Sequence, residues 1–93
     1  MGQDRALERF QKFSPPKFLG GPDPKGAERW LETMINIFAA LNVAEDRQMQ
    51  FAIFQFEGPV RAWWNVIGAK WEREGTAWIW VNFVREFNEK YLP

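Results

Sequence analysis

The sequence predicts an all-α fold: a compact bundle of four short amphipathic helices preceded by an extended Pro-rich amino-terminal arm. Three observations predict it. Apolar residues recur at i, i+3, i+4 and i+7 in successive stretches, and no stretch alternates with period two for long enough to make a strand. Proline stands directly after a capping or breaking residue at Asp23-Pro24 and Gly58-Pro59, which marks helix starts. The chain of 93 residues carries six Trp, nine Phe and one Tyr. Burying each large ring contributes roughly 1.5–3 kcal/mol, so one domain can hold a core without disulfide or metal staples.

Residues 1–12 are rich in charge and are expected to fray or to form a helical turn or two. Residues 13–22, Phe13 to Pro22, contain two adjacent prolines that bias the chain to an extended path. Phe13, Phe18 and Leu19 make this segment too apolar for a linker, and it is expected to dock along the domain. Residues 1–22 are therefore read as an amino-terminal segment and arm, and residues 23–93 as the helical lobe.

The first helix of the lobe opens at Asp23, which caps, and Pro24, whose missing N–H is not needed in a first turn. Ala27, Trp30, Leu31, Met34, Ile35, Phe38 and Leu41 form its apolar stripe. Asn42 is its expected stop, because Asn tolerates the left-handed conformation. Glu45-Asp46 suit the positive end of the next helix dipole, and Met49, Ala52, Ile53 and Phe56 form that helix's stripe. Phe51 and Phe54 lie about 150° or more from the centre of this stripe. Either this helix is covered on both sides, by the arm, another copy of the lobe or the core itself, or it displays the two rings to water.

Gly58 is expected to close this helix in a left-handed conformation and Pro59 to open the third. Val60, Trp63, Trp64, Ile67 and Trp71 fall within an arc of about 100°. Trp63→Ala is therefore expected to cost roughly 3–5 kcal/mol. Glu74-Gly75-Thr76 breaks the third helix. Trp80, Phe83, Val84, Phe87 and Tyr91 repeat the spacing in a last helix, with Thr76 the nearest capping residue and Ala77-Trp78-Ile79 either a first turn or a packed connection. The expected core is Trp30, Leu31, Met34, Phe38, Phe56, Trp63, Trp64, Ile67, Trp80, Phe83, Phe87 and Tyr91. Phe18, Leu19, Phe51, Phe54 and Trp78 exceed what the regular stripes need, and form the candidate interaction or arm-docking surface.

Composition narrows the function. The chain has neither Cys nor His, which removes thiol nucleophiles, imidazole acid–base chemistry and Cys/His zinc sites. Glu72/Glu74 and Glu86/Glu89 lack a nucleophile, an oxyanion donor set or a metal cluster beside them and read as solvated helix faces. No catalytic, metal or cofactor residues are expected. Twelve basic residues are matched by twelve acidic ones. Phosphate binding depends on clustered positive charge, so aromatic stacking with Arg9, Lys12 and Lys17 nearby is the weakest of the binding readings. No apolar run is long enough to span a membrane. Met1-Gly2 could begin an acylation motif, but Ala6 stands where Ser or Thr is required. The reading is a soluble, cytoplasmic, non-enzymatic interaction module.

Phe13-x-Pro15-Pro16-x-Phe18-x-Gly20, Asp23-Pro24, Glu28-Arg29-Trp30-Leu31, Phe56-Glu57-Gly58, Trp63-Trp64 and Trp80-x-x-Phe83-x-x-x-Phe87-x-x-x-Tyr91-x-Pro93 occur in a meaningful order. Together they resemble the Gag region of Gypsy-type LTR retrotransposons in its plant-type form, over Phe13 to Pro93. Pro59 departs from a more usual acidic residue, Val60 from Ala and Ile79 from a Thr cap; these changes touch helix starts and packing volume. The resemblance implies the amino-terminal lobe of a capsid protein, which makes contacts with other copies of itself in a virus-like particle around the element's RNA. A separate carboxy-terminal lobe and a basic or zinc-knuckle segment would complete such a Gag protein, and a first lobe needs neither Cys nor a basic run. An alternative within the resemblance is a domesticated adaptor lobe that holds hydrophobic peptides in a groove which an arm could otherwise fill.

Overall fold

A computed structural model describes residues 4–92; residues 1–3 and Pro93 lie outside the described residues. Among the described residues five helices follow one another: α1 (Arg5–Lys12), α2 (Pro24–Leu41), α3 (Glu45–Phe54), α4 (Pro59–Glu74) and α5 (Trp80–Tyr91). The all-α class is as the sequence predicts, with one helix more than the four expected.

The additional helix is α1. Asp4 caps it by accepting the Leu7 N–H at 3.1 Å and also pairs with Arg47 of α3. Phe10, its one buried residue, stacks on Phe38 and Phe51 with ring centroids 5.8 and 4.9 Å away. Of the two expectations for this segment, fraying or a helical turn or two, the second describes it. A ring slot and an ion partner supplied by distant residues hold the segment.

Helix α2 keeps the boundaries its signals indicate. Asp23 accepts the Lys25 N–H at 3.0 Å, and Asn42 ends the helix at φ 55°, ψ 49°. Within its stripe Ile35 is exposed and Ile37 is buried, because α1 packs on a side that a narrow single stripe does not cover. Helix α3 ends earlier than its stripe suggests. Phe56 leaves the helix and forms an isolated parallel bridge with Phe18.

Gly58 is a correction of a different kind. Its φ of 58° is positive, but its ψ of −131° lies far from the left-handed helix, and it caps the start of α4 instead of closing α3. That conformation is the mirror image of extended backbone, which only glycine enters cheaply. It lets the chain turn from the Phe56 bridge directly into Pro59.

Helix α5 starts after Ile79, and Thr76 does not cap it. The Trp80 N–H donates to Glu45 Oε1 of α3 at 3.0 Å, so a side chain from another helix satisfies one of the donors left free in a first turn. Residues 77–79 form a connection, held by the Asn82 Nδ2–H donating to the Ala77 carbonyl at 2.8 Å.

Candidate interaction surface

The arm lies in a seat built from three helices and the α3–α4 turn. The Gln55 side-chain amide donates to the Pro15 carbonyl at 2.8 Å and to the Pro16 carbonyl at 3.3 Å. The Trp30 indole N–H donates to the Pro16 carbonyl at 2.8 Å. Proline contributes no N–H but keeps its carbonyl, so a Pro-Pro segment is suited to being held by donors from elsewhere. Two residues on, the Phe18 N–H donates to Gln55 O at 2.8 Å, and Phe18 O accepts the Glu57 N–H at 3.0 Å.

This clip delivers the Phe18 ring into the aromatic core. It stacks on Trp30 at 5.1 Å, lies 5.3 Å from Phe87 and 6.2 Å from Phe56, and meets Tyr91 edge-on at 5.0 Å. Only 6% of Phe18 is exposed. Successive side chains of an extended segment point to opposite sides, so Leu19 faces outward and is exposed. At Gly20 the backbone runs close to the lobe at φ 85°. A Cβ there would meet Val60 Cγ2 at 3.0 Å, which leaves glycine as the residue that fits.

The structure separates Phe51 from Phe54. Phe51 is 3% exposed and lies beneath Phe10 of α1, while Phe54 is 52% exposed. They do not share one covered face. Three residues advance a helix by about 300°, enough to place one ring toward α1 and the other at the rim. The arm passes beside Phe54, with Lys17 Nζ 5.9 Å from the ring centroid. Phe51→Ser together with Phe54→Ser would therefore empty a core position as well as change the surface.

Trp78 is 43% exposed. It stands edge-on to Trp64 at 5.9 Å and Trp71 at 5.2 Å, with its Cη2 3.3 Å from where a Cβ on Gly68 would sit. One part of the indole is thus core and the remainder is surface. Ile79 and Val81, beside it in sequence, are exposed as well.

Trp30, Leu31, Met34, Phe38, Phe56, Trp64, Phe83 and Phe87 are buried, and Trp63, Ile67, Trp80 and Tyr91 are partly buried against them. Phe10 and Gln55 join the interior without having been singled out from sequence, and Glu86, read there as part of a solvated helix face, is buried instead because the Trp71 indole reaches it. The Asp4 cap and the Ala6, Leu7, Phe10 spacing could have indicated Phe10. Gln55 and Glu86 carried no such signal, because a buried polar side chain is justified only by partners that tertiary structure supplies.

Glu86 accepts the Trp71 indole N–H at 2.9 Å, and Lys70 Nζ lies 3.5 Å from the same oxygen. Burial pushes the Tyr91 hydroxyl up from its ordinary pKa. The Leu7 backbone N–H, aided by Arg47, holds the Asp4 carboxyl below its ordinary value against a smaller opposing effect of desolvation.

A carboxylate depressed by folding stabilises above its unfolded pKa and loses that contribution as pH falls through the folded value. Acidification below the ordinary aspartate range is therefore expected to loosen α1 before the rest of the lobe. Amide exchange at Leu7 and Glu8 would report it, and Asp4→Asn should show weaker protection already at neutral pH. Unchanged protection of α1 down to the point of global unfolding would show that Phe10 alone holds it.

These features define the class: a helical lobe whose own amino-terminal segment completes its core. The family model described as retrotransposon-derived protein PEG10, N-terminal capsid-like domain, matches residues 12–92. The chain belongs to that family and is a Gag-derived capsid-like domain. A search of curated proteins and a search of solved structures return no match.

Proposed function

We propose that this lobe is a structural subunit, contributing contacts between identical copies in a Gag-type particle around element RNA in the cytoplasm, with no catalytic turnover and no cofactor. The observation that carries this reading is that Phe18 of the same chain fills the aromatic seat between Trp30, Phe56, Phe87 and Tyr91. With that seat taken, the apolar groups left for a partner are on the outside, and they include Phe54 and the neighbouring Trp78, Ile79 and Val81. Exposed aromatic and aliphatic anchors favour association between proteins. The balanced charge favours it over nucleic acid, whose phosphates require a positive field. Among the described residues no helix is long and apolar enough to cross a membrane.

Sedimentation velocity and electron microscopy at rising protein and salt concentration test the reading. Reversible higher-order association is expected, and Ile79→Ser with Val81→Ser should weaken it at least about tenfold while circular dichroism stays helical. An isolated lobe that is monomeric is compatible with assembly in the longer Gag protein, whereas association that proceeds equally well with those substitutions would overturn the reading.

The second reading, an adaptor for hydrophobic peptides, is favoured by a shallow groove between the arm and α2, bordered by Lys17, Leu19, Arg29 and Thr33 with Trp30 in its wall. A peptide entering the aromatic seat itself has to displace Phe18. Chemical-shift changes at Phe18 and Gln55 on adding an apolar peptide would support this alternative.

A further inference from the structure

We infer that α1 is an exchangeable clasp: it can leave its own lobe and fill the same slot on a second copy of this chain, giving a reciprocal dimer. This stands apart from the particle contacts proposed above and uses different residues.

Four observations converge on it. First, α1 precedes nearly all of the matched capsid-like domain, which begins at residue 12. Phe10 thus covers a Phe38/Phe51 slot lying inside the matched residues, from a helix almost wholly ahead of them. Second, α1 is held at few points: Phe10 is its one buried residue, with Ala6 and Leu7 partly buried beside it and the Asp4–Arg47 pair as its charged tie to the lobe. Third, its seat is imperfectly filled. A concave gap lined by Ala6, Arg9, Leu41, Val43 and Arg47 runs beside it, and the Arg47 Nε–H is buried without a partner.

Fourth, the hinge is strained. Ser14, between α1 and the clipped Pro15-Pro16, has φ 50°, a conformation that costs a residue with a Cβ roughly 1–2 kcal/mol. Its N–H donates to Gln11 O at 2.9 Å and closes the tight turn that folds α1 back. Short strained hinges promote exchange. A swapped pair keeps every contact of α1 while opening both hinges, so the strain is relieved twice.

The occupant of the slot is thus another copy's α1. Its surface already fits, with Phe10 between Phe38 and Phe51, and Asp4 against Arg47.

The test uses the full chain. Ser14→Pro cannot adopt positive φ and also disfavours the helical backbone of Phe13, so it should open the hinge and raise the dimer association constant by about tenfold or more relative to wild type. Ser14→Gly relaxes the closed hinge and should lower it by a similar factor. Phe10→Ser in the Ser14→Pro background should abolish the dimer, with circular dichroism reporting that the other helices persist.

Analytical ultracentrifugation reads the constants. A spin label on Gln11→Cys, with no native Cys to compete, should broaden amide signals around Phe51 in isotope-labelled partner copies. Retention of a monomer by Ser14→Pro up to millimolar concentration would overturn the inference. So would a dimer that is insensitive to the hinge, that survives Phe10→Ser, or that shows no broadening around Phe51.

Discussion

Phe18→Ala is expected to destabilise the lobe by about 3–5 kcal/mol, the range for removing a buried phenyl ring. For a domain of this size that is a large share of a total stability on the order of 5–15 kcal/mol. The loss has two sources. The ring no longer leaves water, and a cavity opens between Trp30, Phe87 and Tyr91, whose side chains are fixed by other contacts and collapse only partly. Urea unfolding followed by circular dichroism measures the change. Hydrogen exchange then separates two ways in which it could arise. Loss of protection at the Phe18 and Glu57 amides with helices intact would mean that the arm unclips locally, whereas a lower unfolding midpoint for every amide would mean that the arm is part of the cooperative core. A change below about 1 kcal/mol would show that the ring is not a core element.

Trp71→Ala is expected to cost as much or more. Trp71 is 1% exposed and its indole N–H is the buried donor to Glu86. Removing it loses the ring's burial, at about 3–5 kcal/mol, and takes a donor from a carboxylate that is itself buried, which costs roughly 1–3 kcal/mol more. Lys70 at 3.5 Å can recover part of the second loss. Trp71→Phe isolates that second contribution, because it keeps an aromatic ring while deleting the N–H. Adding Glu86→Leu should restore stability in the Trp71→Phe background, since an apolar pair of suitable volume carries no unmet desolvation. Failure of Glu86→Leu to restore it would mean that the carboxylate is solvated and the bond contributes little. By contrast Trp63 is only partly buried, beside Phe56, Trp64 and Tyr91. Trp63→Ala should cost about 1–2 kcal/mol, less than helix spacing alone assigns it.

The difference between Trp63 and Trp71 shows how far the pattern could be read. Both lie on the apolar face of α4, and periodicity fixes only an arc of that helix. Which part of the arc is deepest depends on where α5 and the arm cross it. The same limit applies to Phe51 and Phe54. Their separation from the main stripe of α3 was legible, but that α1 would cover one and leave the other at the rim was not. Gln55 is the clearest gap: nothing local distinguishes it from any other helix-terminal glutamine, yet it holds both proline carbonyls of the arm.

By itself the sequence determined the all-helical class, the starts at Asp23-Pro24 and Pro59, the stop at Asn42 and the ordered motif set that carries the family resemblance. These depend on backbone conformations and repeat spacings that neighbouring residues fix among themselves. Tertiary structure alone decided that residues 5–12 fold as a helix, that Phe18 completes its own chain's core, and that Glu45 caps the start of α5 from across the lobe. Each of those joins groups distant in sequence, and the free energy of such a contact exists only once both partners have been brought together.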